Sequence, residues 1–305
     1  MKKLIFLVFL ACICCMVYAG PFSRDSRDYI DTLRLGTFSN SFKADFETSM
    51  EKAHTLGMNC TELYNCEDID VFTPFTLSQV IKINKICRQN GIKISSLCAE
   101  VGGFNIPDTK EAEKRVEAVK VCIDNACKLN VKMIQFHFGA INFAEDDPRY
   151  VGNKSSEKGE AGDPDANLIR SIKELDDYCS EKGIIIAQET GPQEGKDLAE
   201  FIRKNNLKAT KVNFDAANLV MYNFDEIQSI YDLGDLIVQI HVKDGIRDTV
   251  KTGYIEKPLG QGDVRWEAFV QALKKIGFRG DLIIEKEIIE DPDRDMDYAV
   301  NFLKN

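Results

Sequence analysis

The chain has 305 residues and a formal charge of -10, from 39 basic and 49 acidic residues. A protein this acidic repels polyanions, and no cluster of lysine or arginine stands out, which excludes nucleic acid as an expected partner. The length is sufficient for one large domain with its own hydrophobic core.

The first predicted element is an export signal. Lys2 and Lys3 precede an apolar run over residues 4–17, which Ala19 and Gly20 close. This order is typical of a signal peptide, here residues 1–19, and the run is shorter than the about 20 apolar residues that span a membrane. We therefore expect a secreted or periplasmic protein with no membrane span. Residues 9–12 loosely resemble a lipoprotein cleavage site, so lipid anchoring at Cys12 is a minor alternative.

Beyond the signal, an apolar β-rich run, a polar loop and a segment with helical periodicity follow one another eight times. The predicted strands are Leu33–Thr37, Asn59–Leu63, Lys93–Cys98, Lys132–His137, Ile184–Glu189, Lys211–Asp215, Leu236–Val242 and Asp281–Glu287. The predicted helices are Ala44–Thr55, Leu77–Asn90, Thr109–Leu129, Pro164–Lys182, Lys196–Asn205, Asp225–Leu233, Trp266–Ile276 and Pro292–Leu303. This alternation predicts an α/β fold with a parallel sheet, closed as a single (β/α)8 TIM barrel domain over residues 20–305.

Two features of this organisation have alternatives. A doubly wound open sheet is disfavoured because no glycine-rich GxGxxG turn follows the first strand, and because eight consecutive units suit closure. The connection between His137 and Asp165 is long and lacks apolar periodicity. Since a loop after the fourth strand lies on the catalytic face, it is either a lid or a surface insertion without a role.

Metal-capable side chains stand at the predicted carboxyl ends of four strands, the region that supplies catalytic groups in such barrels. They are Glu189, Asp215, His241 and Glu285. Charged groups gathered in a barrel mouth are poorly solvated unless a cation joins them. Three carboxylates and one imidazole suit a divalent cation and leave coordination positions for substrate oxygens. We expect one such metal, with Mn²⁺ first and Mg²⁺, Co²⁺ or Zn²⁺ as alternatives.

Five stretches together resemble the sugar phosphate isomerase/epimerase family, the xylose isomerase-like TIM barrels that include ketose 3-epimerases. They are Ala187–Thr190, Asn213–Leu219, Ile240–Asp244, Pro258–Val264 and Ile284–Glu287. The resemblance covers nearly the whole chain after the signal and implies that the same four residues hold the metal. It further implies that Glu189 and Glu285 are the catalytic pair, which exchanges a proton with the carbon beside a sugar carbonyl from its two faces.

Three more candidates for binding substrate follow from position at strand ends. Glu62 and Glu100 close the second and third units, where their carboxylates would meet sugar hydroxyls. His137 closes the fourth predicted strand. Because it stands among apolar residues, it is either a functional group or a histidine whose hydrogen bonds are satisfied within the core.

Two further candidates follow His241 in the chain. Lys243 lies two residues beyond it, on the same face if the strand is regular, and would stabilise an oxyanion or pair with Glu287. Arg247 occupies the place where relatives have an arginine that faces sugar hydroxyls, although an ordinary loop arginine is the alternative.

Asn218 departs from the ketose epimerases, which have a histidine three residues after the aspartate ligand. An amide forms hydrogen bonds with a hydroxyl but does not titrate, so a step that needs that imidazole is absent or falls to His137. This departure, together with the long loop, favours a lyase or hydratase acting on 3-keto-glycosides as the alternative to an isomerase or epimerase.

Export favours a neutral sugar or glycoside as the substrate, because phosphorylated sugars are mostly intracellular. A non-catalytic sugar-binding barrel is the third hypothesis, and the complete set of four ligands argues against it. DNA repair enzymes on this barrel need a histidine-rich site with several metals, whereas the chain has 3 histidines. A homo-oligomer is compatible with the sequence, which leaves the number of subunits open.

Overall fold

The computed structural model describes residues 21–141, 164–247, 255–287 and 289–304. The strands of this part of the chain are β1 (Arg34–Phe38), β2 (Cys60–Leu63), β3 (Lys93–Cys98), β4 (Met133–Phe136), β5 (Ile185–Glu189), β6 (Thr210–Asp215), β7 (Ile237–Val242), β8 (Asp244–Ile246), β9 (Ile255–Lys257) and β10 (Asp281–Ile284). Eight of them close a barrel in the order β1-β10-β7-β6-β5-β4-β3-β2, and every barrel pair is parallel. The predicted (β/α)8 barrel is confirmed.

The helices of the described residues surround this barrel. They are α1 (Arg24–Ile30), α2 (Phe46–Thr55), α3 (Leu77–Gln89), α4 (Thr109–Leu129), α5 (Pro164–Lys182), α6 (Gly195–Lys204), α7 (Ala216–Met221), α8 (Glu226–Leu233), α9 (Trp266–Ile276) and α10 (Pro292–Lys304). Capping residues in the sequence determine where several of these helices begin and end. Thr76 and Gln79 form a reciprocal capping box at the start of α3, and Gly277 ends α9 at a φ of 74°. Helices α1 and α7 were not predicted, because segments of 7 and 6 residues are too short to show a helical period.

The core lies between the barrel and its helices, where Val, Ile, Leu and Phe side chains are almost fully buried. Inside the barrel, a smaller apolar cluster of Phe38, Cys60, Cys98 and Ile283 fills part of the lumen. Several inward-facing side chains above and beside this cluster are polar and buried, and they lead towards the carboxyl ends of the strands. The barrel is therefore packed, and its polar positions converge on the catalytic face.

Two predicted strands end earlier than expected. Strand β4 stops at Phe136 because the backbone N–H of His137 donates to the Glu100 carboxylate at 2.9 Å instead of continuing the ladder. Strand β10 stops at Ile284, so Glu285 directly follows it and still donates its N–H to the carbonyl of Val242 at 3.2 Å. The antiparallel pair β8–β9 was not predicted.

Some predictions fall on residues that the structure does not describe. The signal peptide, the alternative anchor at Cys12 and the start of the domain at residue 20 all lie within residues 1–20. Most of the long connection after the fourth strand lies within residues 142–163. Among the described residues, no helix is both long and apolar enough to cross a membrane.

Candidate metal and active site

Four side chains from four neighbouring strands meet at the carboxyl end of the barrel. Glu189 and Asp215 are the last residues of β5 and β6, His241 is the fifth residue of β7, and Glu285 follows β10. The barrel order places these strands side by side, and the register pairs Asp215 with His241. One potential ligand atom from each residue lies within 4.8 Å of the others. The first three residues are buried, and Glu285 is partly exposed.

His241 joins the two glutamates of this cluster. Its Nδ1 lies 3.0 Å from Oε2 of Glu285 and 3.3 Å from Oε2 of Glu189. Burial alone would lower the pKa of His241, but the surrounding carboxylates outweigh burial and hold the pKa well above its ordinary value. A cation held by this cluster would therefore compete with protonation of the imidazole.

Lys243 inserts a buried ammonium group beside the same cluster. Its Nζ lies 2.9 Å from Oδ2 of Asp215, 3.1 Å from Oε2 of Glu285 and 3.0 Å from Oε1 of Glu287. Burial raises the pKa of Asp215 to about 7, with Lys243 opposing that rise. Burial would also raise the pKa of Glu285, yet Lys243 and His241 hold it well below its ordinary value. Lys243 is thus placed to balance carboxylate charge.

Glu189 is held by hydrogen bonds on both of its oxygens. Oε1 accepts from Nδ2 of Asn218 at 2.9 Å, and Nε2 of His137 lies 3.6 Å from the same oxygen. Oε2 accepts from the side-chain amide of Gln135. Asn218 reaches this position because the Asp215 side chain caps α7 by accepting the N–H of Asn218 at 3.1 Å. The orientation of Glu189 is therefore fixed from three sides.

His137 and Glu100 form a dyad at the edge of the site. Nδ1 of His137 lies 2.9 Å from Oε2 of Glu100, and the other ring nitrogen faces Glu189. Burial opposes protonation of His137, but Glu189 and Glu100 raise its pKa to about 9. Burial likewise acts to raise the pKa of Glu100, and His137 outweighs it, so that this pKa is lowered.

The remaining predicted site residues lie at different depths. Glu62 is fully buried beneath His241, with Oε2 3.4 Å from its Nε2. Arg247 is exposed at the end of the segment that leaves β8. Four of the predicted substrate-binding residues thus lie against the four-residue cluster: Glu62, His137, Asn218 and Lys243. Glu100 reaches the cluster through His137. The role of Arg247 stays a prediction.

Sequence reasoning missed Gln135, Ser96 and Gln239, which support the cluster from below. Gln135 donates to Glu189, and both Ser96 and Gln239 donate to Glu62. Gln239 precedes His241 by two residues on β7 and therefore shares its inward face. The two-residue alternation of strand β7 could therefore have predicted that Gln239 faces the barrel interior together with His241.

The donor set fits a divalent cation. Glu189, Asp215 and Glu285 bring three buried or nearly buried carboxylates together, and Glu62 adds a fourth beneath His241. Lys243 is the ammonium group beside them. Oδ2 of Asp215 is buried and accepts no hydrogen bond, although it lies close to Lys243. An excess of buried negative charge and an oxygen without a hydrogen bond are the features that a hard cation satisfies.

The family model of the xylose isomerase-like TIM barrels matches residues 50–305. The chain therefore belongs to this family. No curated protein sequence matches it significantly.

Solved structures share the fold at low sequence identity. The xylose isomerase domain protein from Planctomyces limnophilus is 22% identical, with a TM-score of 0.67 over 89% of this chain and 95% of that one. The 3-keto-D-glucoside 4-epimerase from E. coli is 16% identical, with a TM-score of 0.67 over 89% and 99% of the two chains. A xylose isomerase-like TIM barrel protein from Mycobacterium smegmatis, in complex with magnesium, is 16% identical, with a TM-score of 0.63 over 90% and 98%.

Proposed function

We propose that the protein is a divalent-metal-dependent sugar isomerase or epimerase that removes a proton from the carbon beside a sugar carbonyl. The observation that carries this proposal is the convergence of Glu189, Asp215, His241 and Glu285 within 4.8 Å at the carboxyl ends of the barrel strands. Family membership supports it, as does the likeness to a 3-keto-D-glucoside 4-epimerase.

The proposed cofactor is one divalent cation, held by the same four residues. Mn²⁺ is the first candidate, and the magnesium in the M. smegmatis relative supports Mg²⁺ as an alternative. When bound, such an ion acts as a Lewis acid that stabilises the negative charge developing on the sugar oxygens.

Glu189 and Glu285 are the proposed acid/base pair. Both carboxylates approach His241 Nδ1, and the barrel order separates their strands, β5 and β10, by β6 and β7. Asn218 and Gln135 hold Glu189 in one orientation, while the Glu285 side chain is 15% exposed and is the more accessible of the two. A carboxylate that is fixed within reach of the acidic carbon serves as a general base, and the other returns the proton.

An elimination on a 3-keto-glycoside is the second candidate. The side-chain amide of Asn218 donates a hydrogen bond to Glu189 and so orients the proposed base. This amide does not titrate, so it cannot act as an acid or base itself. In this elimination the oriented base takes the proton beside the ketone, a C=C bond forms as the bond to the aglycone oxygen breaks, and the base passes that proton to the departing oxygen. The step therefore does not need a second titrating group at position 218. The proposed substrate in either case is a neutral sugar or glycoside, in keeping with the proposed export of the chain.

Proton exchange in D₂O tests the proposal directly. The purified protein is supplied with Mn²⁺ and incubated in parallel with free ketoses and with a 3-keto-glycoside. Deuterium incorporation beside the carbonyl of a ketose supports isomerisation or epimerisation, and aglycone release supports elimination. Absence of both, in protein shown by elemental analysis to hold Mn²⁺, would contradict the proposed chemistry.

Glu189→Gln and Glu285→Gln are the matched variants for this assay. Each keeps the shape of the side chain and removes its capacity to accept the proton, so we expect exchange to fall by at least about 100-fold. Full activity in either variant would remove that residue from the acid/base pair. Asp68→Asn is a suitable control, because Asp68 pairs with Lys82 at 2.7 Å on the surface.

A further inference from the structure

Beneath the candidate metal site, the barrel holds a polar group that the proposed chemistry does not use. Glu62 on β2 has no exposed surface. Its Oε2 accepts hydrogen bonds from Oγ of Ser96 at 2.6 Å and from the side-chain amide of Gln239. The same oxygen lies 3.4 Å from Nε2 of His241, whereas Oε1 has no hydrogen-bond partner.

The two ring nitrogens of His241 face different groups. Nδ1 faces the candidate metal ligands Glu285 and Glu189, at 3.0 and 3.3 Å, while Nε2 faces Glu62. Phe38 packs edge-on against the ring, with centroids 5.1 Å apart, and this contact restricts its rotation. A histidine that binds a metal through one nitrogen usually donates its other N–H to a carboxylate or carbonyl, which fixes both tautomer and orientation.

We propose that Glu62 is a positioning residue, which accepts the Nε2–H of His241 and thereby keeps Nδ1 available to the metal. This inference rests on the proposed metal-dependent function. Ser96 and Gln239 hold the Glu62 carboxylate in place, so the arrangement spans the barrel from β2 through β3 to β7. Full burial leaves Glu62 no surface that a sugar could contact, which favours this role over the binding of substrate hydroxyls.

The first test compares two substitutions by Mn²⁺ affinity, measured from the EPR signal of free Mn²⁺. Glu62→Leu removes the acceptor while filling a similar volume, and we expect affinity to fall by about 10- to 100-fold. Glu62→Gln keeps a carbonyl oxygen for His241 and places its amide nitrogen where Oε1 has no partner. We expect it to retain affinity to within a few-fold of the unsubstituted protein.

The second test reads the tautomer of His241 without any substitution at Glu62. The chain has 3 histidines, so ¹⁵N labelling of histidine gives three ring systems, and the variants His54→Gln and His137→Gln assign the other two. At saturating Mg²⁺, long-range ¹H–¹⁵N spectra should show His241 protonated on Nε2. In Glu62→Leu, we expect this single tautomer to give way to a mixture.

Either of two results would overturn the inference. One is a Glu62→Leu protein that retains its circular dichroism spectrum and binds Mn²⁺ within twofold of the unsubstituted protein. The other is His241 protonated on Nδ1 in the Mg²⁺-loaded protein, a measurement that stands even if Glu62→Leu fails to fold. Both readouts are independent of turnover, so a wrong assignment of the sugar chemistry would leave them unchanged.

Discussion

Asn218 donates one side-chain amide to two acceptors, Oε1 of Glu189 at 2.9 Å and the carbonyl oxygen of Thr190 at 3.0 Å. The second contact ties the amide to the loop that follows β5, so the first one is held in place. The proposed general base thus accepts a hydrogen bond from a neutral donor.

We therefore expect Asn218→Ala to slow proton exchange without removing it. Loss of one hydrogen bond to a charged group costs about 1.5–3 kcal/mol, which corresponds to about 10- to 100-fold in rate if the bond persists in the transition state. Asn218→Asp should be slower still, because it places a second carboxylate against Glu189. Deuterium exchange with the best substrate measures both. Equal rates for all three proteins would show that Asn218 does not orient the base.

Lys243 is expected to stabilise the site most strongly when no metal is bound. Removing one partner of a buried ion pair costs about 3–5 kcal/mol, because the remaining charge is left without compensation. Lys243→Met should therefore lose about this much unfolding free energy in metal-free urea titrations. Added Mn²⁺ should restore part of the loss, since the cation neutralises Asp215 and Glu285 in its place.

The matched control is Lys82→Met. Lys82 pairs with Asp68 at 2.7 Å, but its side chain is 56% exposed, so we expect a loss of no more than about 1 kcal/mol and no response to Mn²⁺. If the two variants lost similar stability, Lys243 would have no special role in balancing the buried carboxylates.

Metal binding should raise the melting temperature through mass action. A hundredfold excess of metal over its dissociation constant adds about 2.7 kcal/mol, which is about 4–5 °C for a domain of this size. Asp215→Asn should abolish this shift, because an amide is a poorer ligand than a carboxylate. Thermal denaturation with and without Mn²⁺ measures it.

Asp176→Asn separates lost metal binding from lost stability. Asp176 is a buried aspartate that accepts hydrogen bonds from Lys208, Ala209 and Thr210, in the connection into β6. We expect this variant to melt at a lower temperature yet to keep the full shift with Mn²⁺. A shift that persisted in Asp215→Asn would place the metal elsewhere.

The strand ends could be read from the sequence because hydrophobic runs mark each strand and catalytic groups follow at its carboxyl end. The pattern predicts that Glu189, Asp215, His241 and Glu285 stand at strand ends, and the structure brings them together. The pattern could not show that Glu62 lies under His241, since that contact joins residues 179 positions apart and exists only after the barrel closes. A single glutamate in a strand gives no sign of the partner that barrel closure brings to it.

The β8–β9 pair escaped prediction for a related reason. Each strand has only three residues, so periodicity carries no signal. The turn after β9 is organised by Asp244, whose carboxylate accepts the N–H groups of Gly245, Gly260, Gly262 and Val264 and the indole N–H of Trp266. A long-range set of donors around one carboxylate leaves no local pattern in the chain.

Asp244→Asn should loosen this turn. The substituted amide has one acceptor oxygen in place of two and points donors at the surrounding N–H groups, so we expect a loss of about 3 kcal/mol in unfolding free energy. The chain has a single tryptophan, Trp266, which makes fluorescence a specific reporter. Its emission should shift to the red in the folded variant. An unchanged spectrum and unchanged stability would show that the carboxylate does not hold the turn.

Tyr29 should contribute to stability in a manner that depends on alkaline pH. Its hydroxyl donates to the carbonyl of Phe278 at 2.8 Å, and burial raises its pKa to about 12, with Arg279 opposing that rise. An unfolded tyrosine titrates near pH 10. Because the folded pKa is the higher one, the contribution is complete below about pH 10 and is lost as the pH rises towards 12.

Tyr29→Phe removes both the hydrogen bond and the titration. At pH 8 we expect it to be about 1 kcal/mol less stable than the unsubstituted protein. Between pH 10 and 12 the difference should shrink, because only the unsubstituted protein must keep a phenol neutral. Buried thiols such as Cys60 and Cys87 also have a pKa raised by burial to about 12, but they are common to both proteins and cancel in the comparison. A difference that stayed constant with pH in urea titrations would mean that the Tyr29 phenol titrates equally in the folded and unfolded states.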